Sequence, residues 1–97
     1  MADVGLTLTV IGCSGTYSSV DSACSSYLLR HGDTAVLLDA GAGASIELQR
    51  HISLEDIDAI IVSHEHPDHW TELPVLYHAY RWGIGRPHVP VLSLIHI

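Results

Sequence analysis

The sequence predicts an α/β fold, because strand-like and helix-like segments alternate along its 97 residues. Two short apolar runs, 34–38 and 59–63, have the length and composition of buried strands. Apolar residues recur every three or four positions over 44–51 and 73–80, a spacing typical of amphipathic helices. This alternation favours a sheet with helices packed against it.

The chain opens with a predicted strand over residues 6–13, in which large apolar residues alternate with threonines. Because alternate side chains of a strand share a face, we expect Leu6, Leu8 and Val10 on the buried face. Residues 16–26 are rich in serine and predict a surface loop able to border an active site.

A hairpin and a short helix are predicted next. Residues 26–30 and 34–38 form the strands of the hairpin, and Gly32 between them can adopt the positive φ of a tight turn. A short helix over 44–51 and a capped single turn over 53–56 then precede the second apolar run.

The last predicted helix carries several aromatic residues. Its apolar positions, and the glycines that end it, are Leu73, Leu76, Tyr77, Tyr80, Gly83 and Gly85. Trp70, Tyr77, Tyr80 and Trp82 could form a base-stacking platform, but aromatic residues at helical spacing usually belong to a core. We therefore expect these four side chains in the core.

The most informative segment is residues 64–69, which read His-Glu-His-Pro-Asp-His directly after an apolar strand. Imidazole nitrogen and carboxylate oxygen bind borderline and hard divalent ions, and the mixed set is typical of hydrolytic sites that keep a position open for water. The candidate ligands are His64, His66, Asp68 and His69. The alternative is a histidine-rich loop in which Asp68 caps the following helix.

Pro67 places this motif on a loop between a strand and a helix. Proline disfavours helical geometry at His66, so we expect the chain to leave the strand near His64 and to enter a helix around Asp68. The zincin motif, by contrast, lies on one unbroken helix and has its second histidine where this chain has Asp68.

Charge and cysteine content narrow the functional classes. Four basic and eleven acidic residues give a net charge of −7, which disfavours a nucleic-acid-binding surface on this part of the protein. A dinuclear metal centre is itself positive and could still bind a phosphodiester. Cys13 and Cys24 predict two free thiols rather than a disulfide framework. Without a signal peptide or a membrane-spanning run, we expect a cytoplasmic protein that makes no membrane contact.

The motif and its surroundings resemble the metallo-β-lactamase superfamily. Residues 64–69 are similar to its metal-binding signature, residues 8–15 to its opening strand and glycine turn, and residues 36–41 to its strand ending in Asp-x-Gly. Over approximately residues 6–91, the similarity is greatest to the branch that contains ribonuclease Z and phosphodiesterase-like hydrolases.

The resemblance implies that residues 1–91 form the N-terminal half of an αβ/βα sandwich, a mixed sheet with helices on one side. The chain would then be an N-terminal fragment of a longer protein. Residues 92–97 resemble the translation of a transposon end used in sequencing-library preparation, and we expect them to be an artefactual tail. The alternative is a natural buried strand over 89–97.

The resemblance also implies that His64 and His66 bind one divalent metal ion and that Asp68 and His69 bind a second. Zinc is expected first, with manganese or iron as alternatives. Asp68 is the expected catalytic residue, because it would also accept a hydrogen bond from the attacking hydroxide. Asp39 fits a supporting role in which its carboxylate orients the ligand loop, with a role as a helix N-cap or turn former as the alternative. The later ligands that complete both sites in family members are not identifiable here.

The function implied is that of a metal-dependent hydrolase that activates water with two ions and acts on phosphodiesters, either RNA or a cyclic nucleotide. Its partner would be a small-molecule or nucleotide phosphodiester, and a homodimer is compatible with the resemblance. The alternatives are a hydrolase of thioester, lactone or β-lactam substrates and, for the 97-residue chain itself, an inactive truncated fragment.

Overall fold

The computed structural model describes residues 5–86 and 88–93. Its strands are β1 (Thr7–Ser14), β2 (Ala23–Cys24), β3 (Ser26–His31), β4 (Thr34–Leu38), β5 (Ala59–Ile61) and β6 (Val91–Leu92). Its helical segments are α1 (Ala44–Leu48), a 3-10 turn (Leu54–Asp56), a second 3-10 turn (Pro67–His69), α2 (Leu73–His78) and a π-helical continuation (Ala79–Ile84). The predicted succession of strands and helices is present, with the short strand β2 in addition.

The six strands form one mixed sheet in the order β2-β1-β3-β4-β5-β6. Strand β3 is antiparallel to both β1 and β4, whereas β1 with β2, β4 with β5, and β5 with β6 are parallel pairs. The turn between β3 and β4 contains Gly32 at a φ of 59°, the positive value predicted for it. The α/β fold with a mixed sheet is therefore confirmed.

Helices cover one face of this sheet. Leu28 of β3, Leu37 of β4 and Ile60 of β5 are neighbours across the strands and are buried. They form one apolar cluster with Leu48 of α1 and Leu76 of α2. The other buried members of the cluster are Ile11, Ala35, Ala40, Ala44, Leu54, Ile57 and Tyr80. Removal of these side chains from water is the main driving force that joins the helices to the sheet.

The opposite face of the sheet carries apolar side chains that are not buried in the described part of the chain. Leu8 and Val10 are 59% and 53% exposed, and their cross-strand neighbours Leu29 and Tyr27 are only partly buried. The prediction that Leu6, Leu8 and Val10 form the buried face of the first strand is therefore wrong. The helices pack on the other face, to which β1 contributes the partly buried Thr9 and the buried Ile11.

Several elements end at other residues than predicted. Helix α1 ends at Leu48, and β5 ends at Ile61, each two or three residues early. The turn after Ser53 forms, but the Ser53 side chain makes no cap hydrogen bond. The last helical segment continues through Gly83 and ends before Gly85, whose φ of 77° is left-handed. Gly85 thus ends the helix as predicted, and Gly83 does not.

The expected aromatic core is only partly present. Tyr80 is buried, and its hydroxyl donates to a backbone carbonyl at 2.8 Å, while Trp70 is partly buried. Tyr77 and Trp82 are 63% and 67% exposed. The prediction for Tyr77 and Trp82 is wrong, because Leu76 and Tyr80, four residues apart, already occupy the helix face that contacts the sheet.

The end of the described chain bears on two further predictions. Leu92, in the predicted tail, pairs with Ile61 as part of β6, whereas residues 94–97 lie outside the described residues. An artefactual tail over 92–97 therefore stays a prediction. Cys13 and Cys24 are free thiols, as predicted. Within the described ranges, no helix has the length and apolar character needed to cross a bilayer.

Candidate metal centre

The motif of residues 64–69 lies at the edge of the sheet where the parallel strands β4 and β5 both end. Asp39 follows β4 directly, and the chain reaches Ser63 two residues after β5. The carboxyl ends of parallel strands meet at one edge of a sheet, so the two residues come into contact there. The chain then turns through the Pro67–His69 segment before α2, which is the predicted strand–loop–helix arrangement.

Asp39 is the centre of the hydrogen bonds at this edge. Its Oδ1 accepts a hydrogen bond from Ser63 N–H at 2.7 Å, and its Oδ2 accepts one from Ser63 Oγ at 2.6 Å. Oδ2 also lies 2.8 Å from His69 Nδ1. Because an ionised carboxylate only accepts, His69 donates through Nδ1, and when the ring is neutral the lone pair on Nε2 is available to a cation. The Asp39 side chain is 4% exposed, and its backbone is left-handed at a φ of 63°.

Asp68 is held by an amide of the first loop. Thr16 N–H donates to Asp68 Oδ2 at 3.2 Å, and this hydrogen bond is the largest cause of the lowered pKa of Asp68. Desolvation opposes the shift, while charges on His69 and His66 lower the pKa further. Thr16 has a φ of 68°, and Thr16 and Asp39 are the two non-glycine residues with positive φ in the described chain. Such conformations persist where the surroundings impose them, often at functional sites.

His64 and His66 lie beside Asp68 and His69 and are exposed to solvent. His64 Nε2 is 2.8 Å from His66 Nδ1, and the two rings are nearly perpendicular at 83°. The centroid of the His64 ring is 5.0 Å from that of His69, and His69 Nε2 is 3.6 Å from Asp68 Oδ2. All four predicted ligands are thus close together, in two adjacent pairs.

These side chains suit divalent ions as pairs rather than as a complete ligand shell. Among residues 5–86 and 88–93, no group of three or more His, Cys, Asp or Glu side chains is placed to hold an ion. Two nitrogens bound at about 2.0–2.1 Å to a tetrahedral ion lie roughly 3.3 Å apart. His64 Nε2 and His66 Nδ1 are 2.8 Å apart, so they would have to separate only slightly to bind one ion together. The free Nε2 of His69 beside Asp68 offers a second pair. The donor chemistry therefore fits divalent cations.

Backbone contacts attach the motif to the loop that follows β4. Ala40 N–H donates to the His69 carbonyl at 2.8 Å, and Glu72 N–H donates to the Ala40 carbonyl at 2.9 Å. Gly41 has no room for a side chain, because a Cβ there would overlap the carbonyl oxygen of Asp68. The Asp-x-Gly segment, residues 39–41, therefore packs directly against the turn that carries Asp68 and His69.

Three contributors to the site are not identified by the sequence patterns. Thr16 acts through its backbone N–H, so its side chain gives no signal. The Glu72 carboxylate accepts hydrogen bonds from Gly43 N–H at 3.1 Å and Ser45 N–H at 3.3 Å, which joins the start of α2 to the start of α1. Ser63 could have been found, since it is a hydroxyl residue placed directly before the ligand motif.

An open cavity of about 320 Å³ lies beside His64. The indole of Trp70 is fixed in its wall, because Trp70 Nε1–H donates to the Glu65 carbonyl at 2.7 Å. The residues that line the cavity are Val62, His64, Glu65, Trp70, Leu73, Val91 and Ser93. A bound molecule could therefore reach His64 from the solvent side.

Comparison with known proteins identifies the family. The sequence pattern of the Metallo-beta-lactamase superfamily matches residues 20–95, so the chain belongs to this superfamily. The probable metallo-hydrolase YhfI of Bacillus subtilis is 36% identical over 76 residues, which are 78% of this chain and 31% of YhfI. Ribonuclease Z of Treponema pallidum is 38% identical over 68 residues, which are 69% of this chain and 22% of that protein.

Solved structures share the fold. The crystal structure of YhfI from Bacillus subtilis matches with a TM-score of 0.87 at 32% identity, covering 94% of this chain and 37% of that one. Human tRNase Z, short form, matches with a TM-score of 0.76 at 24% identity, covering 87% of this chain and 33% of that one. The predicted resemblance is confirmed, and the chain spans between 22% and 37% of the length of these proteins.

Proposed function

We propose that this member of the metallo-beta-lactamase superfamily is a metal-dependent hydrolase that cleaves phosphodiesters. The observation that carries the proposal is the 2.8 Å contact between Asp39 Oδ2 and His69 Nδ1, which leaves His69 Nε2 free beside Asp68. A buried carboxylate behind a histidine is the usual support of a metal ligand, and a solvated loop histidine does not need one. Two relatives similar in sequence are named as a probable metallo-hydrolase and a ribonuclease Z.

In this proposal, His64 and His66 hold one divalent ion, and Asp68 and His69 hold a second. Two such ions together would supply Lewis acidity, a more acidic water and stabilisation of the charge that develops at phosphorus. Asp68 also accepts a hydrogen bond from the attacking water, which an ionised carboxylate can do through either oxygen. Zinc is the ion we expect, with manganese or iron as alternatives, because all three accept imidazole and carboxylate ligands.

The proposed substrate is a phosphodiester of RNA or of a cyclic nucleotide. With a net charge of −7, the chain favours a substrate bound by the metal centre itself over one held along a basic surface. The cavity beside His64 could take the base, because Trp70 offers an aromatic wall on which a base can stack. A nucleotide phosphodiester satisfies both requirements.

The test is hydrolysis of bis(4-nitrophenyl) phosphate by the full-length protein supplied with zinc. His64→Ala and Asp68→Ala each remove a proposed ligand, so we expect losses above about 100-fold, larger than those typical of outer-shell partners. The control is His31→Ala, because His31 is the exposed last residue of β3. Unchanged rates in both ligand variants would rule out the proposal, and a higher kcat/KM for a thioester or lactone would move the substrate class to carbonyl compounds.

For the 97-residue chain itself, we propose weak metal binding and no catalysis. A tetrahedral site takes four ligands, whereas the described residues place no group of three or more candidate ligands around one point. Calorimetric titration of the chain with zinc measures this property. Tight binding of two ions per chain would contradict it.

A further inference from the structure

Ser63 makes two hydrogen bonds to one carboxylate, a contact to which the proposed function gives no role. Its backbone N–H donates to Asp39 Oδ1 at 2.7 Å, and its hydroxyl donates to Asp39 Oδ2 at 2.6 Å. Both oxygens of the carboxylate are therefore engaged by a single residue. Two such bonds fix the plane of the carboxylate as well as its position, because hydrogen bonds weaken steeply when their angles are distorted.

We infer that Ser63 is a positioning residue that determines which nitrogen of His69 carries the proton. With its plane fixed by Ser63, the Asp39 carboxylate presents Oδ2 to His69 Nδ1 at 2.8 Å. A neutral imidazole has one N–H, so a proton on Nδ1 makes Nε2 the acceptor, and Nε2 lies 3.6 Å from Asp68 Oδ2. Ser63 thus acts on His69 through Asp39; its consequence for metal binding rests on the proposed function.

Asp39 requires such a constraint because of its backbone conformation. Its φ of 63° lies in the left-handed region, which costs free energy for a residue with a side chain. Asp39 N–H donates to the Ile61 carbonyl at 2.7 Å, so both the backbone and the side chain of Asp39 are bonded to the chain at the end of β5. Without the Ser63 hydroxyl, Asp39 Oδ2 loses the hydrogen bond that it accepts from Ser63 Oγ. The carboxylate can then rotate about its terminal torsion, which has a broad energy minimum in aspartate.

The first experiment measures the tautomer of His69 in the metal-free full-length protein. Histidine ring nitrogens are labelled and observed by NMR at a pH about two units above the usual histidine pKa, and the His69→Ala spectrum assigns the signals. We expect mostly the Nδ1–H form in the wild-type protein and in Ser63→Thr, which keeps a hydroxyl. In Ser63→Ala, we expect a severalfold rise in the Nε2–H form, and a ratio equal to that of the wild-type protein would overturn the inference.

The second experiment measures zinc affinity by competition with a chromophoric chelator. Loss of an outer-shell partner typically weakens metal binding by 10–100-fold, and we expect about tenfold for Ser63→Ala, confined to one of the two ions. The threonine variant should restore the affinity. The matched control is Ser53→Ala, because Ser53 is exposed and its side chain makes no cap hydrogen bond.

The two experiments separate the inference from the proposed function. A wild-type protein that binds no zinc would contradict the proposed function, while the tautomer of His69 would still decide the role of Ser63. Equal weakening of both ions in Ser63→Ala, or a threonine variant as weak as the alanine variant, would indicate a general structural effect and overturn the positioning role.

Discussion

The two pairs of candidate ligands are held in different ways. In the described chain, the side-chain hydrogen bonds of His64 and His66 run to each other, and both residues are exposed. Asp68 and His69 are instead bonded to Thr16 and Asp39, which precede them by 52 and 30 residues. The second pair is therefore arranged by the fold itself, whereas under the proposed function the first pair would need an ion to move its two ring nitrogens apart.

Gly41→Ala should have the largest effect, because it would push the turn that carries Asp68 away from the loop beneath it. The nearest atoms to the added Cβ belong to the backbone of Asp68 and to buried Cys24. Overpacking typically costs about 1–3 kcal/mol, and we expect a loss of about 3 kcal/mol in the free energy of unfolding, since backbone cannot move cheaply. Urea denaturation measures the loss. Gly83→Ala is the control, because no atom outside its own helical segment lies within 4 Å of its added Cβ in the described residues, and an equal loss there would contradict the explanation.

Asp39→Asn tests whether the two pairs bind metal independently. Asparagine tolerates a left-handed φ, but its amide nitrogen would replace an oxygen facing His69 and so favour the tautomer with hydrogen on Nε2. We expect zinc affinity to fall by about 10–100-fold at the ion held by Asp68 and His69, with little change at the other. Asp33→Asn, in an exposed turn, is the control. Equal weakening of both ions would show that the pairs are coupled.

His69→Ala and His66→Ala compare the two pairs without metal. Removal of His69 takes one donor from the buried Asp39 carboxylate, which keeps its two bonds from Ser63. A buried polar group that loses a partner costs about 1–3 kcal/mol, and we expect about 1 kcal/mol here. For exposed His66, we expect a change within about 0.5 kcal/mol. Denaturation of the metal-free protein measures both, and equal losses would remove the distinction between the pairs.

The smallest effect concerns the pH dependence of Asp68. The pKa of Asp68 is lowered from 3.8, chiefly by the hydrogen bond from Thr16 N–H. This hydrogen bond forms only in the folded protein and favours the ionised carboxylate, so ionisation of Asp68 stabilises the fold. The resulting contribution to stability is present above pH 3.8 and is lost as the pH falls through the lower folded pKa. Carbon NMR of the side-chain carboxyl group in the metal-free protein measures the midpoint. A midpoint at or above 3.8 would show that the Thr16 bond is not maintained in solution.

Local patterns were sufficient for the parts of the fold that local chemistry decides. The turn at Gly32 and the loop at Pro67 follow from the backbone preferences of glycine and proline. Alternation in β1 predicts a strand, but not which face the helices cover, and so the burial of Leu8 is predicted wrongly. The missing information is the position of the helices relative to the sheet.

The four candidate ligands could be predicted because they lie within six residues of one another. The residues that hold them in place by hydrogen bonds could not be predicted. Thr16 reaches Asp68 across 52 residues through a backbone amide that every residue type except proline possesses. Ser63 reaches Asp39 across 24 residues, because β4 and β5 are parallel neighbours in the sheet. Contacts of this kind are set by topology, and a single sequence carries little trace of them.

The uncovered sheet face around Leu8 and Val10 governs how the chain must be handled in solution. Contact between two such faces would remove apolar surface from water, at about 25 cal/mol for each Å². Sulfate and phosphate strengthen this tendency, and any salt also screens the repulsion between chains that each carry a net charge of −7. Purification of the isolated chain should therefore succeed at low ionic strength and low protein concentration. Precipitation by ammonium sulfate should begin at a low concentration of that salt.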